Sequence, residues 1–200
     1  PRAGMVRLRL SGSGAGDEEL NRMIDEALLE LRLLLPGEVF GEGKDNLEVV
    51  LGRLLEAKGK TISTAESCTG GYIAHLLTTV PGSSAYFLGS VVAYSNTIKE
   101  KILGVDPSVL IEHGAVSEAV VKAMAEGAKS RLGTDYSIAT SGVAGPGGGT
   151  PEKPVGTTWI AVSTPDRTLA EKHSFGRNRE RNIQRTAFTA MNMLRKELDS

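Results

Sequence analysis

The chain has 200 residues, 40% of them hydrophobic and 24% charged, which excludes a disordered chain and a collagen-like fibre. Lys+Arg number 23 and Asp+Glu 24, so no basic excess marks a general nucleic-acid binder, and no apolar run approaches the roughly 18 residues of a membrane span. The single cysteine, Cys68, leaves no disulfide framework and no cysteine-based zinc site, and fits a reducing, cytoplasmic setting.

Pro1–Gly4, in a chain that does not begin with Met, read as a scar or as the cut edge of something larger. Val6-Arg7-Leu8-Arg9-Leu10 alternates like a short strand, and the Ser-Gly stretch after it reads as a flexible connection. Asp17-Glu18-Glu19 opens a helix whose stripe of Leu20, Met23, Ile24, Ala27, Leu28, Leu31 and Leu34 ends at Pro36-Gly37. A second helix is expected over Asn46–Lys58. Residues 1–58 carry no recognisable chemistry and read as packing or linking material.

From Lys60 onward, strand and helix signals alternate, which implies α/β layers. Thr61–Glu66 is strand-like, Ser67–Gly71 a turn, and Tyr72–Thr79 helical. Leu88–Tyr94 is β-rich, and Ser95–Leu103 and Pro107–Ile111 read as short helices. Ser117–Leu132 is an amphipathic helix with Ser117 as N-cap and Gly133 as C-cap. Tyr136–Thr140 is a strand that runs into the glycine-rich Ser141–Thr150. Gly156–Ser163 and Thr168–Phe175 form a strand pair around Pro165-Asp166, and Asn178–Leu198 is a long helix. The expected architecture is a layered α/β/α sandwich on a mixed, mostly parallel sheet, with residues 1–45 as a helical appendage and 46–200 as the main domain.

The familiar nucleotide motifs fail. Gly59-Lys60-Thr61 ends like a phosphate loop, but Leu54 stands where a glycine is required. Gly145-Pro146-Gly147-Gly148-Gly149-Thr150 lacks the last glycine of a dinucleotide fingerprint. His75, His113 and His173 are too far apart in sequence for a local metal motif.

Three other signals remain. Ala65-Glu66-Ser67-Cys68-Thr69-Gly70-Gly71 lies where a strand hands over to a helix, the sheet edge at which open α/β folds bind ligands. Ser67 there is either a nucleophile, with the amides of Cys68 and Thr69 as an oxyanion hole, or a helix cap. Cys68 is either a second candidate nucleophile or a small buried thiol. Tyr94-Ser95-Asn96-Thr97-Ile98-Lys99 closes another strand. A serine hydrolase without histidine can use a neutral lysine, at a cost of about 4 kcal/mol to bring the amine from about 10.4 to neutrality. Lys99 fits that role with Tyr94 as its orienting partner, or it is a solvated helix lysine beside a core tyrosine. Anion-binding features come third: Gly82, Ser83 and Ser84; Thr140, Ser141 and Gly142; and the arginines from Arg177 to Arg185. Plain turns and a solvated helix face are the alternatives.

Five stretches, AESCTGG (65–71), PGSSAYF (81–87), Tyr94-Ser95-Asn96 with Lys99, HGAVSE (113–118) and SGVAGPGGGTPEKPVGT (141–157), occur in this order. Together they resemble the CinA C-terminal domain family, the bacterial nicotinamide mononucleotide (NMN) deamidases, over about Asn46–Leu198. Residues 6–58 are similar to the tail of the connecting subdomain of full-length CinA proteins, whose molybdopterin-binding-like domain has no counterpart here. On that resemblance the chain is a fragment or a stand-alone variant.

The resemblance implies hydrolysis of the NMN carboxamide by a Ser/Lys mechanism, without metal or cofactor. Ser67 is then the nucleophile, Lys99 the general base and Tyr94 its partner. Arg179 is the best match to the family's arginine, with Arg177 and Arg181 open. It further implies a cytoplasmic enzyme with no specific nucleic-acid partner, and a homodimer is expected. Two rival readings stand beside it: a non-catalytic nucleotide-sensing or partner-binding module linked to competence or DNA damage, and an amidase for another phosphorylated amide.

Overall fold

Alternation along residues 62–66 sets the plan of the molecule. Ile62, Thr64 and Glu66 project to one face of β1 (Ile62–Glu66) and Ser63 and Ala65 to the other, and all five are buried. A strand buried on both faces belongs inside a covered sheet. The computed structural model, which describes residues 4–14 and 16–199, places it there. β1 is flanked by β2 (Phe87–Val92) and β3 (Tyr136–Gly142); β4 (Thr157–Ser163) and β5 (Thr168–Ser174) complete the order β2-β1-β3-β4-β5. β2 and β3 pair parallel with β1, whereas the β3–β4 and β4–β5 ladders are antiparallel. Only β4 therefore runs against the others, and the α/β class with a mixed, mostly parallel sheet is the one that forms.

Helices cover both faces. α2 (Leu47–Ala57), α3 (Tyr72–Thr78) and α7 (Arg179–Asp199) enclose Ile62, Ile138, Ile160 and Val162 with Leu51, Leu55, Leu77, Met191 and Leu194. Each such aliphatic side chain contributes roughly 1.5–3 kcal/mol on burial. On the other face, Ala65, Ala139 and Ala161 form a low surface on which α6 (Glu118–Leu132) lies through Val121, Met124, Ala125 and Ala128. α4 (Asn96–Lys101) and α5 (Pro107–His113) lead into α6, and Leu103, Val105 and Leu110 join its core. Both expected caps of α6 are present: Ser117 Oγ accepts from the Val120 amide, and Gly133 closes the helix in the left-handed region.

The N-terminal expectations fare unevenly. α1 (Asp17–Leu34) forms over the predicted stripe but buries none of its residues fully. Its Ile24, Leu28 and Leu31 line a groove of about 760 Å³ with residues 5–10, 39–43, 45 and 46. Val6–Leu10 is not a strand: it joins no ladder, and Val6, Leu8 and Leu10 are exposed. Alternation makes a strand only where a sheet edge supplies the hydrogen bonds, and this segment runs along α1 instead. Pro1–Ala3, expected as part of a cut edge, and Ala15 in the Ser-Gly connection lie outside the described residues. Among the described residues no helix is long and apolar enough to cross a membrane.

Candidate active site

The parallel arrangement brings the ends of β1, β2 and β3 to one edge of the sheet. β1 ends there in a turn that needs glycine twice, because Gly70 and Gly71 have φ of 61° and 95°. The turn is tied down from two sides. The Ser67 amide donates to Thr140 O at 3.0 Å, and the hydroxyls of Thr69 and Thr140 lie 2.8 Å apart. From within, the fully buried Glu66 carboxylate accepts from the amides of Gly71, Ile73 and Ala74 at 3.1, 3.0 and 2.8 Å. Glu66 thus occupies the first-turn donors of α3 and neutralises its positive end. Among the described residues no backbone carbonyl accepts from the amides of Cys68 and Thr69, which directly follow Ser67.

Lys99 reaches the same place from α4. Ser95 caps that helix, its Oγ accepting from the Ile98 amide at 3.3 Å, and so fixes where the helix starts after β2. Lys99 is 1% exposed. Its Nζ donates to Ala93 O at 2.8 Å and lies 3.3 Å from Ser67 Oγ. Burial lowers the amine's pKa below its usual value. Among the described residues no carboxylate pairs with it. A charged amine would donate to Oγ across this distance, and a neutral one accepts the serine proton. Cys68 is no rival nucleophile, since burial pushes its thiol up to about 12 and leaves it protonated at neutral pH.

Two exposed side chains form the rim. Tyr94, just past β2, has its hydroxyl 3.1 Å from the Arg179 guanidinium. Arg179, the first residue of α7, also donates to Gly145 O at 2.7 Å. The glycine-rich loop is held in turn by Asn182, which donates to Ala144 O and Gly176 O and accepts from the Gly176 amide. Tyr94 bonds to Arg179 and not to Lys99, so its link to the lysine is through position only.

The remaining expected residues divide. Thr140 and Ser141 stand at the edge, buried, with their hydroxyls engaged by Thr69 and by Ala115 O respectively. Gly142 ends β3 where a Cβ would meet Thr157 O at 2.7 Å, so its glycine serves strand packing. Gly82, Ser83 and Ser84 are not brought to this edge. Their turn precedes β2, and the parallel register sets Phe87 beside Ile62, at the opposite end of the sheet. Glu66 and Asn182 were not singled out in the sequence. Glu66 lies inside a quoted motif, but nothing local shows that its carboxylate folds back onto the next helix. Among the described residues no three His, Cys, Asp or Glu side chains cluster to hold a metal ion.

A mixed-sheet α/β domain with a buried lysine beside a half-buried serine at its carboxyl edge is thus defined by the fold and the site. The CinA C-terminal domain family matches residues 44–198, and the chain belongs to that family. A CinA-like protein from Cytophaga hutchinsonii is 47% identical over 99% of this chain and 47% of its own length. One from Parasynechococcus marenigrum is 49% identical over 98% of this chain and 47% of its own length. The chain therefore spans about half the length of the curated relatives it matches. Among solved structures, the competence/damage inducible protein CihA from Agrobacterium tumefaciens superposes with a TM-score of 0.72 at 36% identity, covering 80% of this chain and all of the other. A CinA superfamily protein from Klebsiella pneumoniae gives 0.74 at 34% identity, over 78% and 99%.

Proposed function

We propose that this domain hydrolyses the carboxamide of nicotinamide mononucleotide to nicotinate mononucleotide and ammonia, in the cytoplasm. The observation that carries the reading is the Lys99 Nζ–Ser67 Oγ separation of 3.3 Å with the lysine buried. A nucleophile needs a base within reach, and a lysine serves only where burial disfavours its charge.

Neutral Lys99 takes the Ser67 proton as Oγ attacks the amide carbon. The oxyanion is received by the Cys68 and Thr69 amides. Lys99 then passes its proton to the amide nitrogen, the C–N bond breaks, and ammonia leaves. Water, deprotonated by the same amine, attacks the acyl-enzyme, and the returning proton restores the serine. The pyridinium charge withdraws electrons and makes the carboxamide a better electrophile. Ala93 O keeps Nζ aimed at Oγ throughout.

Because Glu66 occupies the α3 donors, the substrate phosphate goes to the rim, where Arg179 offers a forked cation fixed by Gly145 O and Tyr94. Tyr94 acts by holding that guanidinium. The test is ammonia release from NMN and from other phosphorylated amides, with Ser67→Ala alongside. Release from NMN that is absent in the variant supports the reading. NMN binding without turnover in the wild type overturns it and favours a sensing module.

A further inference from the structure

The two edges of the sheet are built differently. β5 exposes Glu171 and Lys172, the kind of charge by which an edge strand avoids pairing. β2 reads Phe87-Leu88-Gly89-Ser90-Val91-Val92, with no charge, and among the described residues its ladder is with β1 alone. Its outward amides and carbonyls therefore meet no strand. Beyond residue 35, the exposed large apolar side chains among the described residues are Leu88, Val92, Tyr94, Ile102 and Ile111. Two of the five are on β2 and a third lies two residues after it. A bare strand edge bordered by apolar groups fits another strand, and a second copy of this chain always brings one of identical length and chemistry.

Gly82–Ser84 supplies an independent observation. Gly82 and Ser84 are exposed, and no partner engages the hydroxyl of Ser83 or Ser84 among the described residues. Yet the turn stands roughly 17 Å along the strand from its own chain's Ser67. Antiparallel pairing of two β2 strands, about a two-fold axis between Gly89 and Ser90, sets each Phe87 opposite the other chain's Val92. The turn that precedes Phe87 then falls level with residues 95–97 of the other chain, about one strand spacing from Tyr94.

We propose that the protein works as a two-fold dimer joined edge to edge through β2, in which Gly82–Ser84 of each chain complete the phosphate end of the other chain's site beside Tyr94 and Arg179. The phosphate assignment rests on the function proposed above; the interface does not. The proposal accounts for hydroxyls and glycine placed far from the chemistry of their own chain, and for an unguarded edge that ends at the site.

Two measurements test it. The first is independent of activity. Ser84→Cys and Asn96→Cys are combined in one chain, Cys68 being buried, and treated with a short bismaleimide. Cross-linked dimer is expected; monomer alone, or a wild type that sediments as a monomer at every concentration, overturns the interface. The second is complementation. Ser67→Ala and the double variant Ser83→Ala/Ser84→Ala are co-expressed with different tags and purified as mixed dimers. One of the two sites in each mixed dimer is whole, so about half the wild-type rate is expected. An inactive mixed dimer beside an active wild type overturns the shared site. A wild type that releases no ammonia strikes down the proposed reaction, and the cross-link still decides the interface.

Discussion

Lys99 Nζ and Ser67 Oγ lie 3.3 Å apart with the lysine 1% exposed and its other contact a backbone carbonyl. In the proposed reaction such an arrangement serves chemistry at the expense of stability. Ser67→Ala and Lys99→Ala should each lower kcat by at least about 10³-fold while NMN binding, read by calorimetry, persists. Lys99→Met should be equally inactive yet more stable, by on the order of 1 kcal/mol at neutral pH, in a chemical denaturation series.

The pH dependence follows from the direction of the Lys99 shift. Burial lowers the amine's pKa from 10.5, so the neutral base exists above that lowered value. The rate constant kcat/KM should rise with pH on a limb that inflects below 10.5, and Lys99→Arg should show no such limb at any rate it retains. For stability the sign is the reverse of an ion pair. The unfolded chain binds the lysine proton more tightly, so wild-type stability falls as pH drops from about 10.5 to the folded value and is level below it. The advantage of Lys99→Met should accordingly vanish above about pH 10.5.

Glu66 holds the turn that presents Ser67. Glu66→Ala leaves three amides at the start of α3, one buried and two part-buried, without their acceptor. The expected loss is at least about 3 kcal/mol of stability, measured by urea unfolding. Glu66→Gln retains one acceptor oxygen and should fold. Its kcat should fall more than its KM rises, since the misplaced part is the nucleophile and not the phosphate contact.

In the proposed reaction Arg179 and Tyr94 hold the other end of the substrate. Arg179→Ala should raise KM for NMN about tenfold or more and change little for the riboside that lacks the phosphate. Tyr94→Phe removes the hydroxyl that Arg179 contacts and should give a smaller KM effect of the same kind. A Tyr94→Phe loss confined to kcat, with an altered pH limb, would assign the phenol to proton transfer instead.

Local signals were legible wherever the chain solves its problem locally. Ser117 and Gly133 mark the ends of α6, and the glycine pair marks the turn after β1. The Ser67–Lys99 pair was legible as two residue types at strand ends, because parallel strands carry their ends to one edge. The place of Gly82–Ser84 was not, since a hydroxyl-rich turn looks the same at either end of a sheet. Val6–Leu10 shows the same limit in the other direction: its alternation is real, but no edge lies beside it. Glu66 and Asn182 escaped notice because their partners are backbone groups that only the folded chain brings near.

Cys68 follows Ser67, the proposed nucleophile, yet burial keeps its sulfur protonated at neutral pH, with a pKa raised to about 12. Peroxides and alkylating agents attack thiolates, so the centre is insulated from oxidants that would silence a cysteine hydrolase. With Ser67 as the proposed nucleophile, covalent inhibitors belong among oxygen-seeking warheads, such as boronic acids, and not among thiol-directed electrophiles.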